Sequence, residues 1–172
     1  MIFLLPIGDI SPYIIDSISL HLEKVFETEV RTLKEMGIPD SIFNPERQQY
    51  KGDALLNFIP THEEYTLGII DEDLYSPGLN FIFGIADPIR GIAVISLTRL
   101  RPPFWREPHN ENLFIERIKK EAVHEIGHLY SLPHCDDPKC VMHFSNTIWD
   151  TDRKSNDFCE KCRKLLHERG LK

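Results

Sequence analysis

The sequence has no apolar run of about 18 residues, the length that a membrane-spanning helix needs. Its apolar start has no basic region and reaches Pro6 and Asp9 too early for a secretory signal. It contains no internal repeat and no low-complexity segment. The net charge of −7 disfavours a phosphate backbone as the main ligand. We therefore expect a cytoplasmic protein without membrane or nucleic-acid partners.

The composition is that of an ordinary soluble globular protein. Of the 172 residues, 41% are hydrophobic and 27% are charged, which suits one domain with a sizeable core. We expect a monomer in which strands and helices alternate along the chain. Strands are predicted for the first residues and for 29–33, 66–71, 79–86 and 92–97. Helices are predicted after Ser11-Pro12, after Asn44-Pro45, up to about Ser131 and over 157–167. The second helix is predicted to bury Ala54, Leu55, Phe58 and Ile59.

An H-E-x-x-H pattern is formed by His124, Glu125 and His128, and His134 follows six residues later. Histidines four apart on a helix lie on the same face and can bind one metal ion. Three neutral imidazoles fill three zinc positions and leave the fourth for water, as in catalytic sites. Glu125 is then the candidate base that takes the proton of this water. The alternative is that these are unrelated surface and core histidines.

The sequence around this pattern predicts a helix that ends before the third histidine. An apolar stripe recurs at helical spacing, formed by Ile115, Ile118, Ala122, Ile126 and Leu129. The first two histidines fall on the opposite side of the helix, so we expect them to line a cleft. Pro133 disfavours helical geometry in the residue before it, and the resulting turn can bring His134 back toward the metal.

The four cysteines are spaced as two pairs, C-x₄-C and C-x₂-C, at Cys135, Cys140, Cys159 and Cys162. This spacing fits a closed tetrahedral zinc site, because four thiolates leave no position for water. Disulfides, free buried thiols and an iron–sulfur cluster are the alternatives. A reducing compartment and the lack of a spare cysteine favour zinc. Cys135 directly follows His134, so the two metal sites are expected to be structurally coupled.

Three segments together resemble the archaemetzincins, a branch of the metzincin zinc metalloproteases. They read H-E-I-G-H-L-Y-S-L-P-H-C, C-V-M-H-F-S-N-T-I-W-D-T-D and F-C-E-K-C. The resemblance extends over nearly the whole chain, including I-F-L-L-P-I-G, L-N-F-I-F-G and V-I-S-L-T-R-L. It implies that His124, His128 and His134 are zinc ligands and that Glu125 is the base. It also implies that Met142 is the methionine of the Met-turn, which packs beneath the metal.

The resemblance also implies a fold. We expect an α/β, metzincin-like architecture with a mixed twisted sheet of about four to five strands, an active-site helix and a C-terminal zinc-stabilised helical subdomain. The single domain 1–172 is expected to have an upper lobe of about 1–133 and a lower lobe of about 134–172. Segment 79–86 resembles the metzincin edge strand, to which an extended peptide can pair. An internal strand without a substrate role is the alternative.

Two residues depart from the metzincin pattern. Ser131 stands where the pattern has a glycine, and in a left-handed conformation it costs on the order of 1 kcal/mol. Phe144 stands where some metzincins have a tyrosine close to the metal, so no hydroxyl is available there.

Several other polar residues have ordinary interpretations. His21, His62, His109 and His167 are interpreted as surface residues, whereas His143 is expected either to bind substrate or to pack in the turn. The acidic residues Asp71, Glu72, Asp73 and Asp87 do not match the oxygen spacing of a known calcium loop and are interpreted as solvated turns.

The function predicted is that of a zinc-dependent metallopeptidase acting on a peptide or protein substrate. It is expected to hold two zinc ions, one catalytic and one structural, and to hydrolyse peptide bonds through a zinc-activated water with Glu125 as general base. The alternative is a zinc-stabilised peptide- or protein-binding protein with little or no hydrolytic activity. A nucleic-acid-binding module built on the cysteines is a weaker alternative, because acidic residues are interleaved with the basic ones.

Overall fold

A five-stranded mixed sheet forms the centre of the protein, as seen in a computed structural model that describes residues 1–170. The strand order is β2-β1-β5-β8-β7, and all neighbours are parallel except the edge strand β7. The bounds are β1 Ile2–Ile7, β2 Val30–Thr32, β5 Tyr65–Ile70, β7 Gly84–Asp87 and β8 Ile92–Ser96. The predicted mixed α/β fold is confirmed.

Both faces of this sheet are covered by apolar side chains. Every residue of β8 is buried, and β5 is buried from Thr66 onward. Leu67 and Ile69 pack on the face that carries the long helices, while Ile70 and Val94 pack on the other. Continuous hydrophobic strands of this kind are typical of parallel sheets buried on both sides.

Two long helices lie on one face of the sheet: α1 (Pro12–Phe26) and α3 (Glu111–Leu129). Pro12 occupies the start of α1 as predicted, but the Ser11 side chain makes no capping hydrogen bond. The Asn110 side chain caps α3 by accepting a hydrogen bond from the N–H of Leu113 at 3.0 Å. The whole apolar stripe predicted for α3 is buried.

The helix predicted after Asn44-Pro45 is wrong. The Asn44 carboxamide oxygen accepts hydrogen bonds from the N–H groups of Glu46 and Arg47, at 3.1 and 3.2 Å, and closes a turn. This turn joins β3 (Phe43–Asn44) to β4 (Gln49–Lys51), and β4 pairs with β6 (Leu74–Tyr75) in a second, three-stranded sheet. The helical part of this segment is α2 (Gly52–Leu55) with a 3₁₀ turn at Leu56–Phe58 directly after it, and Phe58, predicted to be buried, is 46% exposed.

The strand predicted over 79–86 is shorter than expected. Only β7 pairs continuously with β8, while Ile82 makes an isolated bridge to Leu74. The carbonyls of Leu79 and Asn80 accept side-chain hydrogen bonds from Arg47, each at 2.9 Å. Leu79 and Asn80 are therefore held by hydrogen bonds from the Arg47 side chain and not by pairing with a neighbouring strand.

The C-terminal region contains two short helices: α4 (Ile148–Arg153), which was not predicted, and α5 (Glu160–Arg169), close to the predicted one. A capping box between Thr147 and Asp150 starts α4. Among residues 1–170, no helix is both long and apolar enough to span a membrane. The division into lobes at about residue 133 stays a prediction.

Candidate active site and metal centres

Three histidine side chains converge at the C-terminal end of α3. His124 and His128 come from the helix and His134 from the segment after it, and their candidate ligand nitrogens lie within 4.8 Å of one another. The Nε2 atoms of His124 and His128 are 3.1 Å apart. Nitrogens bound to one tetrahedral zinc ion at 2.0–2.1 Å are separated by about 3.4 Å. The structure thus brings together the three residues that the sequence predicts as zinc ligands.

Backbone carbonyls fix how the two helical imidazoles are turned. The Nδ1–H of His124 donates to the carbonyl of Val141 at 2.8 Å, and that of His128 donates to Leu132 at 2.9 Å. Burial lowers the pKa of both rings, so both are neutral and both Nε2 atoms carry a lone pair. Two lone pairs at 3.1 Å repel each other unless they share a cation. The donor set therefore fits a zinc ion.

A left-handed residue makes the turn that brings back the third histidine. Ser131 has φ of +62°, the conformation for which the sequence predicts a strain. Its N–H donates to the carbonyl of His128 at 2.8 Å, and the N–H of Leu132 donates to that of Gly127 at 3.0 Å. These bonds end α3 and place His134 against the other two rings, 4.8 Å from His128 between ring centroids.

Glu125 lies beside the histidines, and the residue is 5% exposed. Burial, reinforced by repulsion from Glu121, raises the pKa of its carboxyl well above the usual value. A Cβ atom at Gly84 would lie 2.6 Å from Oε1 of Glu125. Only glycine therefore lets edge strand β7 approach this carboxylate so closely.

Met142 is fully buried beneath α3, where the Met-turn was expected. A Cβ atom at Gly127, between the two helical histidines, would lie 2.4 Å from its sulfur. The methionine therefore packs against the backbone that carries His124 and His128. Its sulfur is a packing element in this arrangement, as the resemblance to metzincins implies.

The four cysteines form a second cluster, with their sulfur atoms within 4.8 Å of one another. No disulfide joins them, and the Cys135 and Cys159 sulfurs are 3.8 Å apart. Thiolates bound to one zinc ion at about 2.3 Å would be separated by about 3.8 Å. Burial raises the pKa of Cys140 to about 11, a cost that a bound cation removes by stabilising the thiolate. The cluster fits zinc and disagrees with the disulfide interpretation.

A chain of hydrogen bonds connects the two clusters. Val141, which follows Cys140, accepts from His124 through its carbonyl and donates its N–H to the carbonyl of Asp157 at 3.2 Å. The N–H of Cys135 donates to the carbonyl of Met142 at 3.0 Å. His143 does not point freely into the cleft, because its Nδ1–H donates to the carbonyl of Cys135 at 2.8 Å. That bond supports the packing interpretation of His143.

A cavity of about 230 Å³ adjoins His124. One wall is the segment 79–84 leading into β7, and the other is 144–146, after Met142. Its helical side is formed by Glu121, His124 and Glu125. The ring of Phe144 lies 5.0 Å from that of His134 and offers no hydroxyl, as noted from the sequence. The cleft therefore opens directly beside His124, one of the three candidate zinc ligands.

Three of the four acidic residues in the turns away from this cleft are paired with arginines. Asp73 accepts two hydrogen bonds from Arg99, at 2.7 and 2.8 Å, and Asp71 is paired with Arg101. Asp87 is paired with Arg90. Their carboxylates are therefore ion-paired rather than simply solvated. His21 is half-buried and within 3.0 Å of the carbonyl of Asn156, so its interpretation as a surface residue is only partly right.

Sequence patterns missed three buried polar residues at the cleft: Glu121, which lines it, and Thr151 and Lys154, which lie behind Glu121. Glu121 lies one helical turn before Glu125, so helical spacing alone could have placed it on the same face. No local signal points to Lys154, whose partner is 33 residues away in sequence.

The fold and the two clusters define a zinc metallopeptidase, and comparisons with known proteins agree. The family model described as Peptidase family M54 matches residues 13–168, and the chain belongs to this family. The chain is 42% identical to an archaemetzincin of Pyrococcus furiosus, with 98% of this chain and 93% of the relative covered. An archaemetzincin of Methanocaldococcus jannaschii is 40% identical, with 96% and 92% covered.

Solved structures show the same fold. The archaemetzincin of Archaeoglobus fulgidus, determined in complex with malonate, matches with a TM-score of 0.85 and 34% identity over 96% of this chain and 99% of that one. The archaemetzincin of Methanopyrus kandleri matches with a TM-score of 0.86 and 36% identity over 98% and 94%.

Proposed function

We propose that this zinc metallopeptidase hydrolyses peptide bonds with Glu125 as general base. His124, His128 and His134 would hold a catalytic zinc ion, and the four cysteines would hold a second, structural one. The observation that carries the proposal is the convergence of three imidazoles next to a buried carboxylate beside an open cleft. A monomeric state, a cytoplasmic location and the lack of a nucleic-acid partner stay predictions.

Zinc at the histidines would supply Lewis acidity, polarising the scissile carbonyl and lowering the pKa of water to about 7. The protein supplies the proton transfer. Glu125 would accept the proton of the attacking water and deliver it to the nitrogen of the leaving amine. Its raised pKa suits this task, because a more basic carboxylate accepts a proton more readily near neutral pH. Val141 and Leu132 would keep the imidazoles oriented throughout.

Edge strand β7 supports peptide binding beside this site. It pairs with β8 on one side only, and within residues 1–170 no strand pairs with its outer edge. An extended peptide could add there as a further strand, so that its backbone passes the histidines. Close contact between Gly84 and Glu125 would bring the scissile bond near the base.

Glu125→Ala and His128→Ala test the proposal. We expect Glu125→Ala to retain both zinc ions and to lose peptide hydrolysis by at least about 100-fold, the usual contribution of a general base. His128→Ala should lose one zinc ion as well as activity. Elemental analysis and hydrolysis of a peptide library would be measured on the same samples. His109→Ala, at an exposed histidine just before the start of α3 and so at the opposite end of this helix from the cluster, is the matched control.

Full activity in Glu125→Ala would rule out Glu125 as the base. An unchanged zinc content in His128→Ala would rule out the histidine cluster as the catalytic metal site.

A further inference from the structure

Glu121 is a buried carboxylate that forms part of the cleft but has no role in the proposed chemistry. It lies one turn before Glu125 on α3, and the residue is 2% exposed. Burying a carboxylate is costly unless its charge is balanced by partners. The partners of its two carboxylate oxygens therefore indicate which kind of ligand group the cleft can bind.

One oxygen of this carboxylate is fully engaged by the protein. The Thr151 hydroxyl donates to Oε1 at 3.2 Å, and the ammonium of Lys154 lies 3.3 Å from the same atom. The Lys154 side chain is completely buried and also donates to the carbonyl of His143 at 3.3 Å. These contacts fix the carboxylate from the side away from the cleft.

The second oxygen, Oε2, accepts no hydrogen bond within residues 1–170. It is also absent from the fully enclosed polar atoms that lack a partner in this part of the chain. A carboxylate oxygen has two acceptor sites, so Oε2 retains its full capacity for a donor. Since Glu121 borders the cavity, this capacity is available to a bound ligand.

The walls between the entrance and Glu121 are mainly apolar. Phe81, Ile82, Phe83 and Phe144 border the cavity, and Ser145 beside them has a buried hydroxyl without a partner. A ligand that fits both surfaces has an apolar stem and a donor at its tip. An entirely apolar side chain would bury Oε2 without a hydrogen bond, which opposes its binding.

We propose that Glu121 makes the cleft selective for a peptide with arginine or lysine next to the scissile bond. The aliphatic stem would lie between the aromatic walls, and the cationic tip would donate to Oε2. Lys154 and Thr151 position the carboxylate in advance, so little ordering is needed on binding. This inference rests on the proposed peptidase function, because it assumes that the cleft binds substrate side chains.

The test uses peptides that differ at one residue beside the cleaved bond. Arginine is compared with citrulline, which has nearly the same shape without the charge, and with leucine. Each peptide is varied first on one side of the cleaved bond and then on the other. Both Kd and kcat/KM are measured for the zinc-loaded wild type. We expect the arginine peptide to be favoured over citrulline at least about tenfold, as for a hydrogen bond between charged groups.

Glu121→Gln should reduce this preference to about twofold or less. The amide oxygen of the new side chain can still face Thr151 and Lys154. The zinc content and melting temperature of the variant protein are recorded to show that the fold remains. Glu111→Gln, which removes the same charge from an exposed position on the same helix, should keep the wild-type preference.

Equal Kd and kcat/KM values for arginine and citrulline in the wild type overturn the inference, whatever the variants do. A preference that survives in Glu121→Gln also overturns it. Selective binding of the arginine peptide without any cleavage supports the selectivity while contradicting the proposed function. If Glu121→Gln does not fold, the arginine and citrulline comparison on the wild type decides.

Discussion

Ser131 shows how one residue controls the position of a candidate zinc ligand. It adopts φ of +62° where α3 ends and the chain turns toward His134. Its carbonyl also accepts a hydrogen bond from the guanidinium of Arg169, near the end of α5. The strained turn is thus held from both sides, by α3 and by the C-terminal helix. A Cβ atom in this conformation remains unfavourable all the same.

Replacing this serine by glycine should stabilise the protein. We expect Ser131→Gly to raise the free energy of unfolding by up to about 1 kcal/mol, because glycine adopts positive φ without steric cost. For a chain of this size that corresponds to a rise in Tm of about 2–4 °C. Urea and thermal denaturation of the zinc-loaded protein would measure it. Ser131→Ala keeps the Cβ atom and is the control. Equal stability of the glycine and alanine variants would contradict the backbone strain at this position.

Single residues also mark where sequence interpretation fails. The α3 helix could be predicted because its apolar periodicity is local in sequence. The turn at Asn44 is equally local, but its side chain closes a hairpin where the pattern of later apolar residues suggested a helix. The environment of Glu121 could not be predicted, since Thr151 and Lys154 become its neighbours only when α4 packs against α3.

At the scale of elements, α3 and the cysteine cluster share the segment that follows Cys140. Val141 orients His124, and Met142 packs against the backbone of Gly127. Cys140 and Cys162 are buried in the same apolar cluster as Val141 and Met142. A metal ion that holds the cysteines would thereby fix the backbone that orients the candidate zinc ligand His124. The peptide bond between His134 and Cys135 is a second link between the two sites.

This connection predicts that damage to the cysteine site reaches the histidine site. Cys159→Ser removes one of four thiolates, so it should lose the structural zinc, lower the Tm and reduce occupancy of the catalytic zinc. Zinc content per chain and thermal denaturation would be measured together. Lys161→Ser, at an exposed position two residues later, is the control and should leave both unchanged. A Cys159→Ser protein with one zinc ion and the wild-type Tm would show that the sites are independent.

At the scale of the whole molecule, one apolar cluster extends from the central sheet into the C-terminal region. It includes Leu67 and Ile95 of the sheet together with Phe158 and Leu166 near the cysteines. The helices there are short, and isolated helices of such length are marginal in water. Zinc at the cysteines would therefore hold this part of the core in place. The histidine cluster, in contrast, lies beside an open cleft and includes the exposed residue His134.

We therefore expect a chelator to remove the two zinc ions in order. The histidine-bound ion should leave first, because a chelator can reach it through the cleft, and the protein should remain folded but inactive. Loss of the cysteine-bound ion should coincide with a large fall in Tm, since the binding free energy of a structural metal contributes to folding. Elemental analysis, thermal denaturation and peptide hydrolysis at each chelator concentration would show the order in which the ions leave. Added zinc should restore activity after the first step. His128→Ala, which should start with one zinc ion, would show only the second step. Simultaneous loss of both ions, or unfolding on loss of the first, would contradict this division between a catalytic and a structural metal.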